Sequence, residues 1–202
     1  FTDNILQAGP VPVVKPMLEW FLSGWSLVFQ NCLFRRSILE KAGYYRTDLM
    51  PSEDSEYFIR ILLAGARPVH TPDCLVFYRE HTTNKITASG TSTEHRTRDW
   101  SRFLEITGNA LADRLPDMEM STRIALAAAV NQHLNYSRKL NLPGLPQGHP
   151  YSKILPPIYI PVYSIWTLYK RIRRRISGNA YHHKGFNAKP VSPEYKKLIN
   201  GI

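Results

Sequence analysis

The sequence predicts an α/β fold: a mixed sheet with helices, followed by a helical extension and an amphipathic basic tail. Three observations carry that expectation. Two apolar runs, residues 26–34 and 67–78, are rich in Val, Leu and Phe or bounded by turn residues, and read as strands. Two short helical patterns lie between them, each opened by a serine and closed by a glycine. Beyond residue 97 the apolar residues recur at helical spacing alone, and beyond residue 150 the charge becomes strongly positive.

Taken in order, residues 1–16 hold Pro10, Pro12 and Pro16 and read as an extended lead-in. A short helix over 17–22 stops at Ser23-Gly24, and the first strand follows. Ser37 and Glu40 have capping-box spacing, in which the hydroxyl caps a free N–H and the carboxylate reaches back; Gly43 is the expected left-handed stop. Ser52 is the next N-cap. Behind it Tyr57, Ile61 and Ala64, joined by Phe58 and Leu62, form an apolar face that ends at Gly65. In the second strand Pro68 and Pro72 restrict pairing. Residues 82–97 are polar and read as a loop. Helices are expected over 100–111 and 120–140, and a linker with three prolines and two glycines over 141–150. The chain thus divides into 1–90, 91–140, 141–150 and 151–202.

Of the 26 Lys and Arg residues, ten fall in 151–202, against a single acid there, Glu194. The net charge of +10 is therefore a property of the tail. Residues 154–169 are apolar but interrupted by Pro156, Pro157 and Pro161, and a spanning helix needs about 20 unbroken apolar residues, so no bilayer crossing is expected. Ile165, Trp166, Tyr169, Ile172 and Ile176 share one helical face, with Lys170, Arg171, Arg173, Arg174 and Arg175 over much of the rest. Such a segment suits the surface of an anionic membrane, with Trp166 and the tyrosines at headgroup depth. The competing arrangement is a helix that packs its apolar face on its own domain. No recognition-helix, zinc-finger or RNA-binding signature accompanies the basic run, so nucleic acid is not an expected partner. Cys32 and Cys74 sit in apolar runs and read as buried thiols of a reducing compartment, with one disulfide as the alternative.

The chemistry is concentrated at Glu53 and Asp54, two adjacent carboxylates in the first turn of the helix that Ser52 opens. The helix dipole favours their ionised forms. A carboxylate held there is a competent general base for a docked hydroxyl. Acids in a first turn also stabilise helices with no catalytic role, and the pair alone does not decide between the two. Arg60 is expected to pair with Glu56 one turn back, and Trp20 and Trp25 to pack in the core.

The wider context is more specific. Asn31-Cys32-Leu33-Phe34-Arg35-Arg36-Ser37-Ile38-Leu39-Glu40-Lys41-Ala42-Gly43-Tyr44-Tyr45 precedes the acids; Arg60, Leu63 and Gly65 follow them, then Val76-Phe77-Tyr78-Arg79-Glu80-His81. In this order and spacing, residues 20–90 resemble the acceptor-side half of a family 2 inverting glycosyltransferase with a GT-A-like fold. The resemblance implies that Asp54 is the base, with Glu53 beside it. It implies that Arg79 and His81 lie near the donor diphosphate or a divalent metal, Mg or Mn, with His81 as a candidate metal ligand. The implied partners are a nucleotide-sugar donor and a glycan or lipid-linked acceptor. An enzyme of this kind would work in the cytoplasm, peripheral at the inner face of the membrane.

One feature departs from that family. No Asp-x-Asp metal motif occurs in the chain, and no βαβ pattern precedes Phe1. The expectation is that residues 1–90 form the acceptor-side half of an enzyme whose nucleotide-binding half lies upstream, and that this portion alone does not turn over. A reading of a different class is a non-catalytic peripheral membrane-binding or scaffold module.

Overall fold

The computed structural model describes residues 4–8, 16–23, 29, 32–69, 93–154 and 186–190, together with 161–162, 164–166, 168–169 and 172. Five helices dominate: α1 (Met17–Leu22), α2 (Arg36–Ala42), α3 (Glu53–Leu63), α4 (Thr93–Leu111) and α5 (Met120–Lys139). A short strand β1 (Asn4–Ala8) pairs antiparallel with β2 (Phe186–Pro190), Leu6 opposite Ala188.

This corrects the expected fold class. Among the described residues the α/β mixed sheet does not form, and β-structure is confined to that two-stranded ribbon. Of the expected strand over 26–34, Phe29 stands in a 3-10 turn closed by Cys32 N–H to its carbonyl at 3.0 Å, and residues 32–34 are irregular. The apolar run there serves as a wedge: Phe29 and Phe34 stack at 4.8 Å and pack on α3. Residues 24–28 and 30–31 lie outside the described residues, as do 70–78 of the second expected strand. A continuous apolar run does not by itself distinguish a strand from a packed irregular segment.

The capping box also needs correction. Helix α2 begins at Arg36, so Ser37 lies inside the first turn, and Glu40 pairs instead with Arg36 at 3.1 Å on the exposed surface. Such a pair contributes little. Gly43 does stop the helix, with φ +79, a backbone state that L side chains avoid. Helix α4 starts at Thr93, inside the segment read as a loop. Its first turns are solvated and held by an Arg98–Glu94 pair at 2.8 Å, so they lack the apolar periodicity that would have revealed them.

Helix α3 is the centre of the molecule, because three adjacent rows of its surface are apolar. Tyr57 and Ile61 pack with Ala42, Phe34 and Leu39; Phe58 and Leu62 pack with Met17, Trp20 and Phe21. Ile59 enters the main core with Leu49, Phe103, Leu104, Leu111, Leu126, Val130 and Tyr151. Burying each such side chain is worth roughly 1.5–3 kcal/mol. The main core therefore joins α3 to α4 and α5. Ala125, Ala127 and Ala128 are buried along α5, where small side chains permit close approach.

The proline- and glycine-rich segment after α5 returns to the core rather than leaving it. Buried His149 donates Nε2–H to the Glu105 carbonyl at 3.1 Å, and its Nδ1 accepts from Tyr151 N–H at 3.2 Å. The Tyr151 hydroxyl donates to Thr107 Oγ1 at 3.0 Å, and burial pushes its pKa up to about 12. Gly108 makes room for this: a Cβ there would stand 2.2 Å from the His149 ring.

In the tail, the described residues between 161 and 172 are helical. Ile165, Leu168, Tyr169 and Ile172 are exposed, and Trp166 stacks on Tyr169 at 5.8 Å. Lys170, Arg171, Arg173, Arg174 and Arg175 lie outside the described residues. No helix among the described residues is long and apolar enough to cross a membrane.

Candidate functional site at the entrance of helix α3

The chain enters α3 through residues 44–52, and that approach is held at several points. Arg60 supplies one clamp. Its guanidinium donates to both Glu56 carboxylate oxygens, at 2.7 and 2.9 Å, in the bidentate geometry that suits Arg. The same group donates to the carbonyls of Ala42 and Tyr44, the latter at 2.8 Å, and lies 4.9 Å from the Tyr57 ring centroid. Glu56 is 2% exposed, so this ion pair is shielded from water on the acid side. The expected Arg60–Glu56 pairing is thus present, and it ties the end of α2 to the middle of α3.

Tyr45 follows directly. Its ring packs on Tyr57 at 4.4 Å and against Phe29 at 5.7 Å, and its hydroxyl donates to Asp54 Oδ1 at 3.0 Å. Burial and then the Asp54 carboxylate push the Tyr45 phenol above its ordinary pKa, so it stays a donor at any physiological pH. Asp54 is half-buried, and one of its oxygens, Oδ1, is fixed by Tyr45. Glu53 stands beside it. Its Oε2 is buried and has no hydrogen-bond partner among the described residues. A buried carboxylate oxygen without a donor is costly, and such atoms are rare in folded proteins unless something else fills them.

Ser52 occupies the N-cap position as expected, but its hydroxyl does not cap α3. It donates to Asp99 Oδ2 at 2.5 Å, and the Ser52 and Met50 backbone N–H groups donate to the two Asp99 oxygens at 3.0 and 2.5 Å. Asp99 comes from α4 and is 8% exposed. Beside it opens a cavity of about 400 Å³ lined in part by Pro51, Arg96, Trp100, His133 and Tyr136. His133 Nε2 lies 2.8 Å from Ser101 Oγ and 3.2 Å from Ser137 Oγ, and burial lowers its pKa, favouring the neutral ring.

The structure therefore brings Glu53 and Asp54 together at one helix entrance. The other two expected site residues, Arg79 and His81, lie outside the described residues. Among the described residues no three His, Cys, Asp or Glu side chains are grouped to hold a metal ion. Tyr45 and Asp99 were not expected at the site. Tyr45 is nine residues before Asp54 and Asp99 is 45 after it, with no periodicity linking either to the acids. The chain matches no protein-family model, no curated protein and no solved structure.

Proposed function

We propose that this chain is the acceptor side of an inverting glycosyltransferase, with Asp54 as general base. The observation that carries the reading is the acid pair at the α3 entrance: Asp54 is oriented by Tyr45 and keeps an oxygen to spare, while Glu53 Oε2 is buried with no donor among the described residues. A sugar or lipid-linked acceptor brings its reacting hydroxyl to the spare oxygen of Asp54. Asp54 takes that hydroxyl's proton as its oxygen attacks the anomeric carbon of a nucleotide-sugar. The bond from that carbon to the diphosphate breaks on the opposite face, and a nucleoside diphosphate leaves. Glu53 accepts a hydrogen bond from a neighbouring acceptor hydroxyl and orients it. Arg79 and His81 compensate the charge of the departing diphosphate. A divalent Mg or Mn ion would supply further charge neutralisation in the complete enzyme, and its ligands, His81 among them, would come from beyond the described residues.

The tail favours a membrane-associated setting. Ile165 is 67% exposed and Ile172 48%, so these positions of the apolar face are turned outward and do not pack on the chain's own domain. The sequence adds Lys170, Arg171, Arg173, Arg174 and Arg175, whose charge suits anionic lipid at the inner, cytoplasmic face of a membrane. That same observation supports the second reading, a peripheral membrane module without sugar chemistry.

One experiment separates them. The full-length protein is mixed with a panel of nucleotide-sugars and glycan or lipid-linked acceptors, with anionic phosphatidylserine vesicles present. The expected result is release of nucleoside diphosphate, a product whose anomeric coupling in NMR is opposite to the donor's, and co-sedimentation that falls when residues 159–176 are deleted. Vesicle binding with no diphosphate release supports the second reading. A product that retains the donor's configuration rules out direct displacement assisted by Asp54.

A further inference from the structure

We infer that Asp99, on helix α4, is a positioning residue for the Asp54 base, so that the helical extension sets the geometry of the α3 entrance. The inference rests on the proposed role of Asp54 and deepens it. Asp99 is a buried carboxylate that accepts three hydrogen bonds from the two residues flanking Pro51: Met50 N–H at 2.5 Å, Ser52 N–H at 3.0 Å and Ser52 Oγ–H at 2.5 Å. Pro51 has no N–H to offer. Every backbone donor of the 50–52 turn thus ends on one side chain.

The sequence separation makes this unusual. Ser52 is the N-cap of α3, and an N-cap serine ordinarily turns its hydroxyl inward to the second or third helical amide. Here it turns outward, toward a helix 47 residues further along the chain. An inward cap stabilises the helix but fixes nothing about where the entrance points. The outward bond fixes the entrance against α4. Behind it, Leu49 and Ile59 share the main core with Phe103 and Leu104 of α4, so the carboxylate sits on a rigid support. Two residues beyond Ser52 stands Asp54, and on its other side Tyr45 holds the carboxylate itself. The base is thereby located from two directions: its side chain by Tyr45, its backbone by Asp99.

Replacing Asp99 with Asn keeps the shape but puts an amide group, itself a donor, where an N–H or O–H now points. The turn must reopen. A displacement of about 1 Å at a reacting group can cost on the order of 10²-fold in rate. The Asp99→Asn protein is therefore expected to lose about 10–100-fold in kcat, with donor KM unchanged. Ser52→Ala removes one of the three bonds and should lose less.

The deciding experiment is a double-variant cycle in the full-length protein, measured well below the unfolding temperature of every variant. If Asp99 acts through Asp54, then Asp99→Asn has no further effect on kcat in the Asp54→Asn background. Amide exchange at Met50 and Ser52 should also quicken in Asp99→Asn while that of Ile59 does not. Losses that multiply in the double variant, or a fully active Asp99→Asn protein beside an inactive Asp54→Asn one, overturn the inference and leave the base reading standing. An active Asp54→Asn protein removes the base reading, and this inference with it.

Discussion

Replacing Asp54 with Asn is expected to reduce turnover by about 10²–10⁴-fold, the range that general-base catalysis supplies. The substitution is chosen because it changes one property. Asn has the size of Asp, and its carbonyl oxygen can still accept the Tyr45 hydroxyl that now donates to Oδ1 at 3.0 Å. The aromatic stack of Tyr45 on Tyr57 is untouched. What disappears is an oxygen able to take a proton from an acceptor. The loss should therefore fall in kcat, with the donor KM and the thermal unfolding midpoint close to those of the unmodified protein. Steady-state kinetics of diphosphate release, together with a melting curve, check both halves of this expectation. A variant that melts early and loses activity in proportion would assign Asp54 to stability instead.

The second large effect is structural. Arg60→Ala is expected to destabilise the fold by about 3–5 kcal/mol, the cost of stranding one member of a buried ion pair. Glu56, 2% exposed, would keep a carboxylate with no cation, and the carbonyls of Ala42 and Tyr44 would lose their donor. Arg60→Lys should restore little, since a single ammonium cannot serve two carboxylate oxygens and two carbonyls in one plane. Replacing both partners with apolar residues, Glu56→Leu with Arg60→Met, should recover part of the loss, because the unpaired charge goes with its partner. Urea denaturation of the three proteins orders them directly. If Arg60→Ala unfolds at the unmodified midpoint, the clamp contributes nothing and the path from α2 to Tyr45 is held by packing alone.

Local signals in the sequence located most helices well. Helix α3 is legible because its first-turn acids, its apolar face and its terminal Gly65 agree with Ser52 at the N-cap position, although the Ser52 hydroxyl turns to Asp99. The pairing of Glu56 with Arg60 was legible for the same reason: its spacing of four is a property of the helix itself. The expected sheet does not form among the described residues because the apolar run around Phe29 packs its rings on α3 from an irregular segment, and apolar composition is the same in both cases. Helix α4 was shortened because its first turns face water and carry no apolar rhythm. At the α3 entrance, local order places Glu53 and Asp54, whereas Tyr45 and Asp99 reach the same place through tertiary packing. Nothing in Arg98-Asp99-Trp100 shows that its carboxylate will meet the amides of residues 50 and 52. The return of residues 149–154 to the core was hidden by prolines and glycines that resemble a linker, and depends on Gly108 leaving space for His149.

The most direct test of the account is where an acceptor hydroxyl sits. A structure of the full-length protein with a nucleoside diphosphate and a bound acceptor should place the reacting hydroxyl at hydrogen-bond distance, about 2.6–3.2 Å, from a carboxylate oxygen of Asp54. A neighbouring hydroxyl should meet Glu53 Oε2. An acceptor bound with its reacting oxygen beside another base, and Asp54 facing only Tyr45 and solvent, would contradict the account.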